Sequence, residues 1–93
     1  MSTVSATFRV TGNATHWTIY IAPADVTLET KDTSLTCDLQ QGSTQWVTVI
    51  VQGAPGQATT LSGTAAGRAL FPPKEVAAGP KHNGYYSFEF TAP

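Results

Sequence analysis

The chain has 93 residues, with five lysines and arginines against six aspartates and glutamates, which gives a formal net charge of −1. A chain of this length predicts one domain over residues 1–93, because a single core usually organises about 100 to 200 residues. The near-neutral balance excludes the strongly basic surface that binds nucleic acid or an anionic membrane. No basic region precedes a long apolar run, so the sequence predicts a soluble chain with no signal peptide and no transmembrane segment.

Small domains have a narrow stability margin, because a chain of this size buries only about 60 to 65% of the surface that its unfolded form exposes. Cys37 is the single cysteine, so an intrachain disulfide is excluded. Cys37, His16 and His82 show no close pairing typical of a zinc site, and we predict no metal and no cofactor. Association with other subunits is the remaining common way to bury more surface.

Apolar residues that recur at every second position predict β-strands, each with one face toward a core. In chain order these positions are Val4, Ala6, Phe8 and Val10; Trp17, Ile19 and Ile21; Val26 and Leu28; Leu35, Cys37 and Leu39; and Tyr86, Phe88 and Phe90. The predicted strands cover residues 3–11, 16–22, 25–30, 34–40, 45–52, 57–62 and 84–91.

The stretch "GAPGQ" separates the fifth and sixth predicted strands. Pro55 presets φ for the second position of a turn and Gly56 accepts a positive φ at the third, which is the requirement of a type II turn. This pattern predicts that residues 45–52 and 57–62 form a hairpin.

A long loop is predicted at about residues 63–83, where the alternation is lost. Pro72 and Pro73 exclude a central strand there. Within this loop we predict a short strand over residues 68–71 and a helical turn over residues 74–78.

Short strands separated by turns predict an all-β fold, an antiparallel β-sandwich of about seven strands, with a small β-barrel as the alternative. In strand number and length the chain resembles an immunoglobulin-like sandwich. Because the paired cysteines of antibody domains are absent, the resemblance implies the architecture and no function.

No catalytic residue is predicted. Cys37 alternates with Leu35 and Leu39, which predicts a side chain that faces the core rather than a nucleophile. The acidic residues of the region 25–38 are spread over two strands and two turns, unlike a calcium loop, and predict a solvated acidic edge. A small hydrolase is therefore the least favoured function.

The fifth predicted strand is apolar on both faces. Val47, Val49 and Val51 lie on one face, whereas Trp46 and Ile50 lie on the other. Leaving the second face in water is unfavourable by about 25 cal/mol per Å² of apolar area. Two covers are predicted as alternatives: the long loop, through Leu70, Phe71, Pro72 and Val76, or a neighbouring molecule.

Exposed aromatic residues and clustered charges define a candidate contact surface. Four of the six acids lie between residues 25 and 38, and three of the five basic residues lie in the long loop, which predicts a bipolar molecule. The candidate contact residues are Trp46, Ile50, Tyr20, Tyr85, Leu70, Phe71, Arg68, Lys74 and Lys81.

These features favour a non-enzymatic structural, assembly or protein-binding module, such as a capsid decoration or tail component of a virion or another multi-copy subunit. Its predicted partner is another protein or further copies of the chain. The alternative is a small secreted domain, inhibitor-like, that binds carbohydrate or a protein target. The sequence leaves the location open between a virion and an extracellular setting.

Overall fold

The computed structural model describes residues 2–93, and this part of the chain contains β-strands and no helix. In chain order the strands are β1 (Thr3–Gly12), β2 (His16–Ala22), β3 (Val26–Glu29), β4 (Ser34–Gln40), β5 (Thr44–Gln52), β6 (Ala58–Ala65), β7 (Arg68–Ala69), β8 (Lys74–Ala77) and β9 (Asn83–Thr91). No helix in the described residues is long and apolar enough to cross a membrane.

The strands form two antiparallel sheets packed face to face. One sheet has the order β4-β1-β6-β7, with β8 also paired to β6, and the other has the order β3-β2-β5-β9. We call the second the β5 sheet. The predicted antiparallel β-sandwich is confirmed, and the two sheets do not close into a barrel. The immunoglobulin-like detail stays a prediction.

All seven predicted strands are present, with ends that differ by up to three residues. The region 63–83 is more regular than predicted, because it contains β7, inside the predicted short strand, and β8. The predicted helical turn over residues 74–78 is wrong. Residues Lys74–Ala77 pair with Ala58–Leu61 of β6 instead, and Val76 turns into the core at 5% exposure. Pairing with the edge of β6 and burial of Val76 in the core therefore outweigh the local helical tendency of residues 74–78.

The predicted hairpin of β5 and β6 is also wrong, although the turn between them is correct. The N–H of Gln57 donates to the carbonyl oxygen of Ala54 at 3.0 Å, and Gly56 has a φ of 92°. The turn carries the chain from one sheet to the other: β5 pairs with β2 and β9, whereas β6 pairs with β1, β7 and β8.

The core lies between the two sheets and follows the alternation. Val47, Val49 and Val51 of β5 are fully buried, which confirms the predicted core face of this strand. Phe71, from the segment between β7 and β8, joins this core and packs against Phe90 with ring centroids 5.3 Å apart. The long segment thus contributes an aromatic side chain to the interior.

Strand β9 shows how position in a sheet changes burial. Tyr86 lies opposite Val49, on the inner side of the β5 sheet as the alternation predicts, but it is 43% exposed. β9 is the outermost strand on this side, so its inner face is only partly covered by the facing sheet. Phe88 is half-buried and Phe90 is buried, which shows that burial increases toward the end of the strand.

Candidate interaction surface

The outer face of the β5 sheet presents four large side chains to solvent. Their exposed fractions are 43% for Tyr20, 58% for Trp46, 42% for Ile50 and 68% for Tyr85. We call these four residues the aromatic face. They come from the three neighbouring strands β2, β5 and β9, and the same alternation that turns the valines of β5 inward turns Trp46 and Ile50 outward.

The strand register brings the aromatic face together. Ile50 pairs with Tyr85 on one side, and Tyr20 pairs with Thr48, which lies between Trp46 and Ile50 along β5. Tyr20 is therefore the diagonal neighbour of Trp46 and of Ile50, a separation of about 7 to 8 Å that aromatic side chains can span. Four of the candidate contact residues thus form one continuous surface.

Small hydroxyl side chains and carboxylates accompany these residues. Thr18 pairs with Ile50, and Ser87 pairs with Thr48, so both lie on the same face. Glu89 pairs with Trp46, and the Tyr20 hydroxyl donates to Oδ1 of Asp25 at 3.3 Å. The aromatic face therefore has hydrogen-bonding groups within it and negative charge beside it.

The segment 63–83 does not cover the aromatic face, so the first of the two predicted covers is wrong. Phe71 is 7% exposed and packs against Phe88 with ring centroids 4.8 Å apart, and Val76 is also in the core. Leu70 is half-buried against the same core. Phe71 consequently cannot belong to an exposed contact surface. Phe71 and Val76 therefore pack in the core between the sheets, on the opposite side of the β5 sheet from Trp46.

The three basic candidate residues are separate from one another. Arg68 is exposed on β7, at the edge of the facing sheet. Lys74 on β8 places its Nζ 5.4 Å from the centroid of the Phe88 ring, a cation–π distance. Lys81 is exposed in the connection between β8 and β9. The structure therefore does not gather these residues into one basic patch.

Both histidines line one open groove, which sequence reasoning missed because they lie far apart in the chain. His16, His82 and Lys81 border this groove of about 410 Å³, together with Gln52 and Asn83. A second groove of about 550 Å³ adjoins His16 and is bordered by Glu29, Lys31 and Asp32. No group of three or more histidine, cysteine, aspartate or glutamate side chains in residues 2–93 is arranged to hold a metal ion.

Cys37 is half-buried on β4 and packs against the core, as its alternation predicts. Burial raises the pKa of its thiol, and the neighbouring Asp38 carboxylate raises that pKa further. The thiol is therefore held in its protonated form, which is the weakly nucleophilic one.

Asp32 has a local structural role. Its Oδ2 accepts a hydrogen bond of 2.9 Å from the N–H of Glu29, and its own N–H donates to the Glu29 carbonyl oxygen at 2.6 Å. These two bonds close the turn after β3. One of the four acids between residues 25 and 38 thus supports the backbone of a turn.

Fold and surface together define a two-sheet antiparallel sandwich with an exposed aromatic face on one sheet. Comparisons of the chain with protein-family models, with curated proteins and with solved structures found no match.

Proposed function

We propose that this protein is a non-enzymatic structural or assembly module that binds another protein subunit through its aromatic face. A virion component or another subunit of a multi-copy particle is the setting we favour. The observation that carries the proposal is Trp46, which is 58% exposed on β5, between two paired strands. Solvation of such a large apolar side chain is unfavourable, and a partner that covers it removes that penalty.

The strand beneath the aromatic face is paired on both sides, which favours tight binding. β5 pairs with β2 over seven residues and with β9 over nine, and its inner valines are fully buried. Trp46 and Ile50 are consequently held at a constant spacing before a partner arrives. Tryptophan and tyrosine offer a large contact area with few rotatable bonds, so little conformational entropy is lost on binding.

The charges around the aromatic face indicate what kind of partner it fits. Asp25 lies beside Tyr20, Glu29 pairs with Thr18 on the outer side of the sheet, and Glu89 pairs with Trp46. Three carboxylates thus surround an aromatic centre. We expect a partner surface with an apolar centre and lysine or arginine at its rim, because complementary rims guide association and select partners.

A carbohydrate ligand is the second candidate, and the Tyr20–Asp25 hydrogen bond favours it. Carboxylates and small hydroxyl groups next to aromatic rings match the chemistry of a sugar, which has an apolar ring face and a rim of hydroxyls. Asp25, Thr48 and Ser87 supply such groups here. With a carbohydrate ligand, the proposed function is that of a secreted binding domain rather than an assembly module.

Site-specific photocrosslinking tests the proposal. A benzophenone side chain at position 46 should form a covalent adduct with one protein in the cells or particles that contain this chain. The matched control carries the same group at Thr36, which is exposed on β4 of the facing sheet. An excess of the unmodified protein should reduce the yield of this adduct, whereas an excess of the Trp46→Thr variant should not.

The competing variant is expected to keep its fold, because exposed substitutions usually change the free energy of unfolding by less than about 0.5 kcal/mol. Equal adduct yields from positions 46 and 36 would contradict the proposal. So would a Trp46→Thr variant that reduces the yield as much as the unmodified protein does. Binding on a glycan array that disappears in Trp46→Thr and Tyr85→Ala would instead establish the carbohydrate-binding function.

A further inference from the structure

Strand β9 is a long edge that lacks the usual protection against pairing with another strand. It has nine residues and ends the β5 sheet, whereas the other edge of that sheet, β3, has four. Edge strands are commonly protected by lysine, proline, bulges or short length. The sequence of β9, "NGYYSFEFT", contains neither proline nor lysine, and Glu89 is its single charge.

The hydrogen bonds at the two ends of β9 show which backbone groups point away from β5. Ala92 donates to Ser43 at 2.9 Å, and His82 accepts from Gly53 at 3.0 Å, so even-numbered residues bond toward β5. Because backbone groups alternate along a strand, odd-numbered residues point to the open edge. Asn83 agrees with this alternation, since its carbonyl oxygen accepts a hydrogen bond of 2.7 Å from Gly79, outside the sheet.

Beyond Asn83, four residues of β9 direct their N–H and C=O groups to the open edge without a backbone partner in residues 2–93. They are Tyr85, Ser87, Glu89 and Thr91. Exposed side chains flank these groups, and Tyr86 on the inner side is also 43% exposed. This edge therefore offers both a hydrogen-bonding ladder and apolar surface to an added strand.

We propose that β9 pairs with β9 of a second copy, antiparallel, about a two-fold axis at Phe88. This register sets Tyr85 against Thr91 of the second copy and Ser87 against Glu89 of the second copy, so all four outward-pointing residues find a partner. It also keeps the two copies of Glu89 from facing each other directly. Phe88 then meets Phe88 of the second copy at a close, non-hydrogen-bonded pair.

A second copy is the occupant that these observations favour. The open groups match themselves under two-fold symmetry, and one register satisfies all of them while it separates the like charges. The pairing joins two four-stranded sheets into one continuous sheet, with both aromatic faces on the same side. The inference goes beyond the proposed function, since it concerns the edge of the β5 sheet, and different variants test the two proposals.

Molar mass by light scattering, measured from micromolar to millimolar concentration, tests the pairing. The wild-type protein should approach twice the 9.8 kDa of the chain. Ser87→Glu places a carboxylate against Glu89 of the second copy at two symmetric positions, and it should raise the dissociation constant of the dimer about tenfold or more. The double variant Ser87→Glu with Glu89→Lys restores opposite charges in this register and should recover the dimer.

Thr48→Glu is the matched control, because it adds the same charge on the same face but on the interior strand β5, next to Ser87. It should leave the dimer intact while it weakens binding at the aromatic face. A single-chain mass for the wild type at every concentration would overturn the inference, and so would a dimer that Ser87→Glu leaves unchanged. Neither result would affect crosslinking from position 46.

Discussion

The N–H of Ala24 donates a hydrogen bond of 2.9 Å to Oε1 of Gln45, which joins the connection between β2 and β3 to the start of β5. Gln45 is 3% exposed, and its Nε2 donates to the Ser43 hydroxyl at 2.9 Å. This glutamine occupies the inner side of β5, in the row of the buried valines. Both ends of its amide are satisfied, so a polar residue is accommodated at the margin of the core.

Gln45→Ala should lower the free energy of unfolding by about 2 kcal/mol, because it leaves the N–H of Ala24 without its acceptor and opens a cavity. Urea denaturation followed by tryptophan fluorescence measures this change. Gln52→Ala is the control, since Gln52 is exposed on the same strand and should be close to neutral. Equal effects of the two substitutions would show that the Ala24–Gln45 bond contributes nothing to stability.

Thr59→Val should stabilise the protein by about 1 kcal/mol. Thr59 is 1% exposed, and its Oγ1 has no hydrogen-bond partner within residues 2–93. Valine keeps the shape and removes the cost of burying an unsatisfied hydroxyl. The melting temperature and urea midpoint should both rise, whereas Thr64→Val at an exposed position of the same strand should leave them nearly unchanged. A lower midpoint for Thr59→Val would mean that the hydroxyl is satisfied in solution.

Gly84→Ala should destabilise the protein by more than about 2 kcal/mol. A Cβ at this position would overlap the carbonyl oxygen of Ala77, where β8 approaches β9, and a backbone atom cannot move aside cheaply. Gly79→Ala is the matched control, because its Cβ would meet only the carbonyl oxygen of Asn83 at an ordinary 3.5 Å. Thermal denaturation of both variants checks this. A small effect at Gly84 would show that β8 and β9 are farther apart in solution.

Cys37 should react slowly with thiol reagents in the folded state at neutral pH, since burial and the Asp38 carboxylate raise the pKa of its thiol. Asp38→Asn removes the second cause, lowers that pKa and should increase the alkylation rate at a given pH. Asp32→Asn should not change the rate, because Asp32 is not among the causes of the shift. A faster reaction in the folded than in the urea-unfolded protein would contradict this expectation.

The same shift predicts how stability depends on pH. The raised pKa in the folded state means that the unfolded thiol loses its proton first, so the contribution of Cys37 is fully present well below pH 9.0, the ordinary pKa of the thiol. It is lost as the pH rises through the pKa of the folded state. The unfolding free energy of the wild type should therefore fall more steeply in alkaline solution than that of Cys37→Ser.

Alternation and turn signals in the sequence were sufficient for seven of the nine strands and for the direction of most side chains, whereas β8 lies where the alternation is lost. The alternation predicted the inward valines of β5 and the outward Trp46 and Ile50, because the period of two is a local property of an extended chain. The type II turn around Gly56 was also predictable, since its chemistry depends on two adjacent residues.

Strand partners were decided by the tertiary structure. The turn closed by Ala54 and Gln57 reverses the chain. Because β2 and β9 already occupy the two edges of β5, β6 crosses to the facing sheet. Tyr86 is exposed for a related reason. The alternation along β9 sets the direction of its side chain, whereas the burial of that side chain depends on how far the facing sheet extends over β9. Partners and cover come from residues distant in the chain, which a local pattern does not contain.

The apolar outer face of β5 shows the same division. The sequence by itself determined that Trp46 and Ile50 share a face opposite the core valines. Only the tertiary structure decided that Phe71 fills the interior beside Phe88 and Phe90, because burial among aromatic rings stabilises it more than contact with an open sheet face. Because Phe71 packs in the interior, Trp46 stays exposed, and the outer face of β5 is a candidate binding surface.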